Sequence, residues 1–135
     1  MKIVIIDGQG GRLGALLCES IKAALPQLSL LAIGTNATAT AAMLRAGADQ
    51  GATGENPVIV AARDADIIIG PIGIMAADAL LGEVTPAMAT AVGSCRAEKL
   101  LLPLERCGHR VVGIRQLSVA ELVAEAVECL KRLLP

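Results

Sequence analysis

A three-layer α/β fold built on a doubly wound, mostly parallel sheet is predicted for this chain by three observations. It opens with a short continuous apolar run, Lys2-Ile3-Val4-Ile5-Ile6-Asp7, of the kind buried on both faces of a parallel sheet. A glycine-bearing turn, Gly8-Gln9-Gly10-Gly11-Arg12-Leu13-Gly14, then opens a segment of helical periodicity. Strand-like and helix-like stretches go on alternating, the pattern of βαβ units. At 135 residues the chain, residues 1–135, is expected to form one domain, too small for a cofactor domain plus a separate substrate domain.

After the first turn, Leu16, Leu17, Ile21, Ala24 and Leu25 share one helical face and Glu19 and Lys22 the other, until Pro26 stops the helix. Residues 28–33 form the next buried strand, so the first unit is a right-handed βαβ crossover. A helix over 37–46 follows, then a short strand over 48–53 and a helix running from about Glu55 to Arg63. Residues 66–70 are the clearest strand after the first, with a second glycine-marked exit at Gly70-Pro71-Ile72-Gly73. In a doubly wound sheet this strand lies beside the first, which brings the two glycine loops together. From Ile74 to Leu81 the chain is apolar nearly all round apart from Asp78, so it has to be covered on more than one side and is the candidate subunit contact. Thr85-Pro86 reads as N-cap and first position of a helix to about Val92. Residues 99–104 form a strand with Pro103 at its end or edge. Only residues 105–109 separate it from an apolar run at 110–114, which predicts an antiparallel last strand. Ser118-Val119-Ala120-Glu121 is a capping box, and Leu122, Val123, Ala126, Val127, Leu130 and Leu134 form the stripe of a C-terminal helix.

Composition narrows the function classes. Net charge is −1 and there is no Phe, Tyr or Trp, so a basic face and stacking aromatics, the two footholds for nucleic acid, are both missing. The chain is 54% hydrophobic with a mean hydropathy of +0.63, a surplus that reads as buried interface in a homodimer. Gly70, Pro71 and Gly73 interrupt the longest apolar run, which argues against a membrane span. The chain begins directly in a strand, which predicts a cytoplasmic protein. The four cysteines, Cys18, Cys95, Cys107 and Cys129, form no C-x-x-C pair and read as small buried hydrophobes, with Cys95 and Cys107 flanking the last predicted strands.

The chemistry-bearing stretch is Gly8 to Gly14. A helix entered through a tight turn aims unpaired N–H groups and the positive end of its dipole at one place, which makes an anion site. Gly8 serves the turn, Gly11 the approach of a phosphate and Gly14 the packing of helix on strand, while Arg12 adds a charge-assisted contact. This use requires the space beside the glycines to stay clear of the protein's own side chains. Gly34-Thr35-Asn36 stands at the tip of the second strand, where a carboxylate favours a free ribose 2′-hydroxyl. None is present there, so Thr35 and Asn36 suit a phosphorylated ribose, unless one of them simply caps the next helix. Asp7 either caps the glycine turn or helps hold Mg²⁺ on a phosphate, and no other metal ligand set is evident. Glu55 and Glu83, at loop ends, are the remaining candidate acids or bases. His109 reads as a solvated loop residue, since a metal site on it would depend on carboxylates from far along the chain, and nothing in sequence supplies a base for Ser94-Cys95-Arg96.

The Gly8–Gly14 loop resembles the cofactor loops of dihydrodipicolinate reductases and atypical short-chain dehydrogenases. That resemblance implies NADP or NAD binding on a Rossmann-like unit, without those enzymes' catalytic residues. Over its whole length the chain is similar to a short bacterial family of unknown function, through Ile6-Asp7-Gly8-Gln9-Gly10-Gly11, Gly34-Thr35-Asn36-Ala37, Gly47-Ala48-Asp49, Gly51-Ala52-Thr53-Gly54-Glu55-Asn56 and Gly70-Pro71-Ile72-Gly73. The expectation is a protein that binds a nucleotide or dinucleotide at Gly8 to Gly14, with NADP(H) preferred, as a sensor or regulatory module. Two alternatives stand beside it: a small reductase or transferase completed across a dimer, and a non-catalytic accessory subunit.

Overall fold

The computed structural model describes residues 1–104 and 108–135. Five strands, β1 (Ile3–Asp7), β2 (Leu30–Gly34), β3 (Gln50–Thr53), β4 (Ile67–Pro71) and β5 (Glu98–Leu102), pair in the order β3-β2-β1-β4-β5. Every pairing is parallel. The helices are α1 (Arg12–Ala24), α2 (Ala37–Arg45), α3 (Glu55–Ala62), α4 (Pro86–Ser94) and α5 (Val119–Leu133), with a 3₁₀ turn at Ile72–Met75.

Alternation along β1 divides the interior. Ile3 and Ile5 join Leu17, Ile21, Met43, Val123 and Leu130 in a core under α1, α2 and α5. Val4 and Ile6 face the other way, into a core with Val58, Ile74, Leu80, Met88 and Val92 under α3 and α4. A strand buried on both sides needs apolar residues at every position, which is why β1 reads as an unbroken run. The result is three layers, with the sheet in the middle.

Local signals place the helix ends. Thr85 caps α4 by accepting from Met88 N–H at 3.1 Å, with Pro86 at the first position. Ser118 and Glu121 form both bonds of the capping box on α5, whose Leu122, Val123, Ala126, Val127 and Leu130 are buried. Among the described residues no helix is long and apolar enough to cross a membrane.

One expectation is corrected. The antiparallel last strand does not form: β5 is the edge of the sheet, and residues 110–114 are irregular. Val112 is 98% exposed and Gly113 sits at φ +87°, so the apolar run turns in solvent instead of lying on a pleated surface. The predicted connection and Cys107 fall partly or wholly on residues 105–107, outside the described residues. The apolar segment 74–81 is covered mostly from within. Ile74, Ala79 and Leu80 fill the α3–α4 core, and Met75 and Leu81 are its exposed large side chains.

Candidate functional site

Parallel pairing sets the carboxyl ends of all the strands on one rim. β1 lies between β2 and β4, so the order of strands reverses about β1, and the gap between the β1 and β4 ends is the switch point where doubly wound sheets bind ligands. The exit of β1 is a turn closed by Gly11 N–H on the Gly8 carbonyl at 2.9 Å, and it delivers the chain to α1.

Asp7 holds this turn. Its Oδ1 accepts from Gly8 N–H at 2.8 Å and its Oδ2 from Gly14 N–H at 2.7 Å, so one carboxylate ties both ends of the loop. Both oxygens are therefore engaged in capping. Burial pushes the Asp7 carboxyl above its ordinary pKa, against the two amide bonds that lower it, and the Glu83 charge adds to the rise.

The glycines are demanded by the protein's own packing. Gly11 has φ +72°, and a Cβ there would lie 2.7 Å from the Ala39 Cα in α2. A Cβ on Gly8 would meet the Thr35 hydroxyl, Leu80 and Glu83. Met43 takes the space beside Gly14, and the Ile6 carbonyl on the neighbouring strand that beside Gly70. On the β2 side, then, the clearance expected for a ligand is occupied by Leu80 and Glu83.

Glu83 is the residue that sequence reasoning named but did not place. It enters from the segment between the 3₁₀ turn and α4, and its Oε1 accepts from Gln9 N–H at 2.8 Å, the Thr35 hydroxyl at 2.6 Å and the Asn36 Nδ2 amide at 2.8 Å. Partial burial raises the Glu83 carboxyl, but these three donors outweigh it and hold it below the usual range. Asn36 is committed on all sides: it also donates to the Gln9 carbonyl at 2.9 Å and caps α2 by accepting from Ala39 N–H at 2.9 Å. No local signal links Glu83 to Gln9, which lie 74 positions apart.

The first turn of α1 is different. Arg12 and Leu13 N–H reach no acceptor among the described residues, whereas the neighbouring Gly14 and Ala15 amides are engaged. The exposed Arg12 guanidinium has no carboxylate partner there. Beside it a cleft of about 470 Å³ is lined by Arg12, Leu13, Leu16, Leu104 and Val119.

The remaining predicted residues scatter. Gly34 closes against the Thr40 hydroxyl, which accepts its N–H at 3.1 Å. Pro71, Ile72 and Gly73 carry the chain from β4 into the 3₁₀ turn, on the strand next to β1. Glu55 accepts from the Thr85 hydroxyl at 2.6 Å, and the preceding Gly54 N–H donates to the Gly34 carbonyl at 2.9 Å, on the same rim. His109 lines a separate cleft of about 510 Å³ with Ile72, Met75 and Leu101. Cys18 is buried, and burial first, then Asp7 and Asp49, pushes its thiol up to about 12, an inert packing cysteine. Cys95 donates to the Val92 carbonyl at the end of α4.

Comparison with known proteins adds a family. A family model described as a domain of unknown function (DUF3842) matches residues 2–135. No curated protein and no solved structure matches the chain.

Proposed function

The chain belongs to the DUF3842 family, and from the geometry of its rim we propose that it is a Rossmann-like nucleotide-binding module, a sensor or regulatory protein, that seats a phosphate of an NAD(P)-type ligand on the first turn of α1. The observation that carries this reading is the pair of bare amides at Arg12 and Leu13, beside the switch point of a parallel sheet. The guanidinium on the same turn, which has no carboxylate partner among the described residues, adds charge, and the adjoining cleft offers aliphatic walls to the uncharged part of the ligand. Asp7 and Glu83, the carboxylates nearest the loop, already accept from amides and a hydroxyl. That suits them to fixing geometry more than to moving protons, which favours binding over catalysis.

The test is calorimetric titration of NADH, NADPH, ATP and FMN into wild type and Arg12→Glu. A carboxylate in the first turn complements the helix dipole, so the fold keeps its stability. Against a phosphate the same charge reversal removes a charge-assisted contact and adds repulsion, weakening binding by about tenfold or more. Failure of every nucleotide to bind wild type below millimolar concentration, or unchanged affinity in Arg12→Glu, ends this reading. Gly11→Val is unsuitable as a probe, because its clash with Ala39 reports on folding.

A further inference from the structure

We propose that the outer edge of β5 is an interface between two copies of this chain, joined about a two-fold axis at Leu100 so that the two β5 strands pair antiparallel and one sheet runs through both. This surface lies apart from the glycine loop, and its use does not depend on the nucleotide reading. The two edges of the sheet differ in chemistry. β3 is short and polar, Gln50-Gly51-Ala52-Thr53, the kind of edge that discourages further pairing. β5 ends instead in Leu100, Leu101 and Leu102, and Leu100 and Leu101 are only half-buried.

The ladder decides which backbone groups of β5 are open. Glu98 stands in register with Ile67, and its N–H donates to the Asp66 carbonyl at 2.9 Å, so Glu98 turns its backbone toward β4. Alternation turns Leu100 and Leu102 the same way and aims the N–H and C=O of Lys99 and Leu101 outward. Those outward groups meet no backbone or side-chain partner among the described residues. Pro103, next in the outward series, has no N–H and closes the open stretch. Such a stretch is complementary to itself in one register. With the axis at Leu100, Lys99 of each copy lies opposite Leu101 of the other, and each pair exchanges both of its outward N–H and carbonyl groups.

The side chains agree with that register. Leu100 and Leu102 pack on the α5 face of the sheet, where a groove of about 230 Å³ between β5 and α5 is lined also by Leu122, Glu125, Ala126 and Cys129. The axis brings the two Leu100 side chains together over this groove. Glu125, Cys129 and Arg132 share one flank of α5 by helical spacing, and Arg132 donates to Cys129 Sγ at 3.5 Å, beside the groove. A two-fold axis sets the two α5 helices antiparallel, which turns Glu125 of each copy toward Arg132 of the other. That charge complementarity is what selects a second copy as the occupant. The ion pair of Glu125 with Arg115 is solvent-exposed and holds little energy, so it exchanges readily.

The test is sedimentation velocity on the full chain as wild type, Leu101→Pro and Leu100→Cys. Wild type is expected to be a dimer at micromolar concentration. Leu101→Pro removes an outward N–H and leaves the ladder with β4 intact, so the protein folds and its dimer weakens by about tenfold or more. Leu100→Cys sets two thiols at a non-hydrogen-bonded antiparallel pair, with Cα atoms about 4.5 Å apart and within reach of a disulfide. Mild oxidation is expected to give a covalent dimer that reductant reverses, in yield well above that of wild type, which controls for the native cysteines. A wild type that is monomeric throughout the micromolar range overturns the proposal, as does a dimer equally tight in Leu101→Pro. A dimer in which Leu100→Cys cross-links no better than wild type overturns it too. Should Leu101→Pro lose its native circular dichroism, the cross-link alone decides.

Discussion

After β1 the chain turns through Gly8 to Gly11 into a helix of 13 residues, and after β4, the adjacent strand, it enters a 3₁₀ turn of 4 residues. From there it loops through residues 76–84 before α4 begins. The first exit presents N–H groups along a full helix dipole. So short a 3₁₀ turn has little dipole to offer, and what its loop contributes is an acceptor, Glu83, laid across the first exit. Backbone strain is divided in the same unequal way. Among the described residues, the non-glycine residues in the left-handed region are Gln9 in the first exit and Asp78, Leu80 and Leu81 in the second. Two neighbouring glycine-marked exits thus have complementary roles, one donating and one accepting, and the accepting loop carries more of the strain. In that loop Leu80 is buried at Gly8 while Leu81, next in sequence, is 97% exposed.

Breaking the donor side should have the largest effect. Asp7→Ala leaves the buried Gly8 and Gly14 amides without their acceptor, and a loss of about 2–4 kcal/mol in urea denaturation is expected. A loss below about 1 kcal/mol would mean that the turn holds its shape without the carboxylate.

Removing the acceptor costs less, because Gln9 is exposed and Asn36 and Thr35 are only half-buried. Glu83→Ala should lower stability by about 1–2 kcal/mol at neutral pH. Here pH sharpens the contrast, since the two carboxyls shift in opposite directions. Glu83 is held below its ordinary value, so its contribution is present at neutral pH and is lost as pH falls through the lowered folded value. Asp7 is raised, so ionising it costs stability as pH climbs from the ordinary aspartate value to the raised one. The gap between wild type and Glu83→Ala should therefore narrow as pH falls below the ordinary glutamate range, and denaturation midpoints measured across that fall would reveal it. A gap that stays constant would show that Glu83 acts without its charge.

The smallest expected effect tests the strain. Leu81 is solvent-exposed at φ +58°, a conformation that asparagine tolerates far better than leucine. Leu81→Asn should raise stability by about 0.5–1 kcal/mol, read as a modest rise in melting temperature. A fall would mean that the leucine side chain is held by contacts that outweigh its backbone cost.

Elements whose signals are local were legible from the residues alone. The two-sided burial of Ile3–Asp7, the Thr85-Pro86 start of α4 and the Ser118–Glu121 box of α5 each depend on side chains within a turn or a strand's length. The alternation that makes the fold α/β follows from the same short-range periodicities. Residues 110–114 misled for a related reason. Their β-branched composition carries strand propensity, but a strand needs a neighbour to pair with and a face to bury, and this run lies beyond the sheet's edge with Val112 in solvent. Likewise, hydropathy marked residues 74–81 as needing cover without saying that the chain's own α3–α4 core would supply it.

The amino-acid order, then, determined the elements, their caps and the glycine turn at the head of α1, because each of those is decided by groups a few bonds or one helical turn apart. Only the packed molecule decided that Asp7 spans the turn, that Leu80 fills the space over Gly8, and that a carboxylate reaches the tip of β2. Those contacts join residues as much as 74 positions apart, and their formation depends on how the layers stack and where the loops between them are carried, which no local pattern encodes.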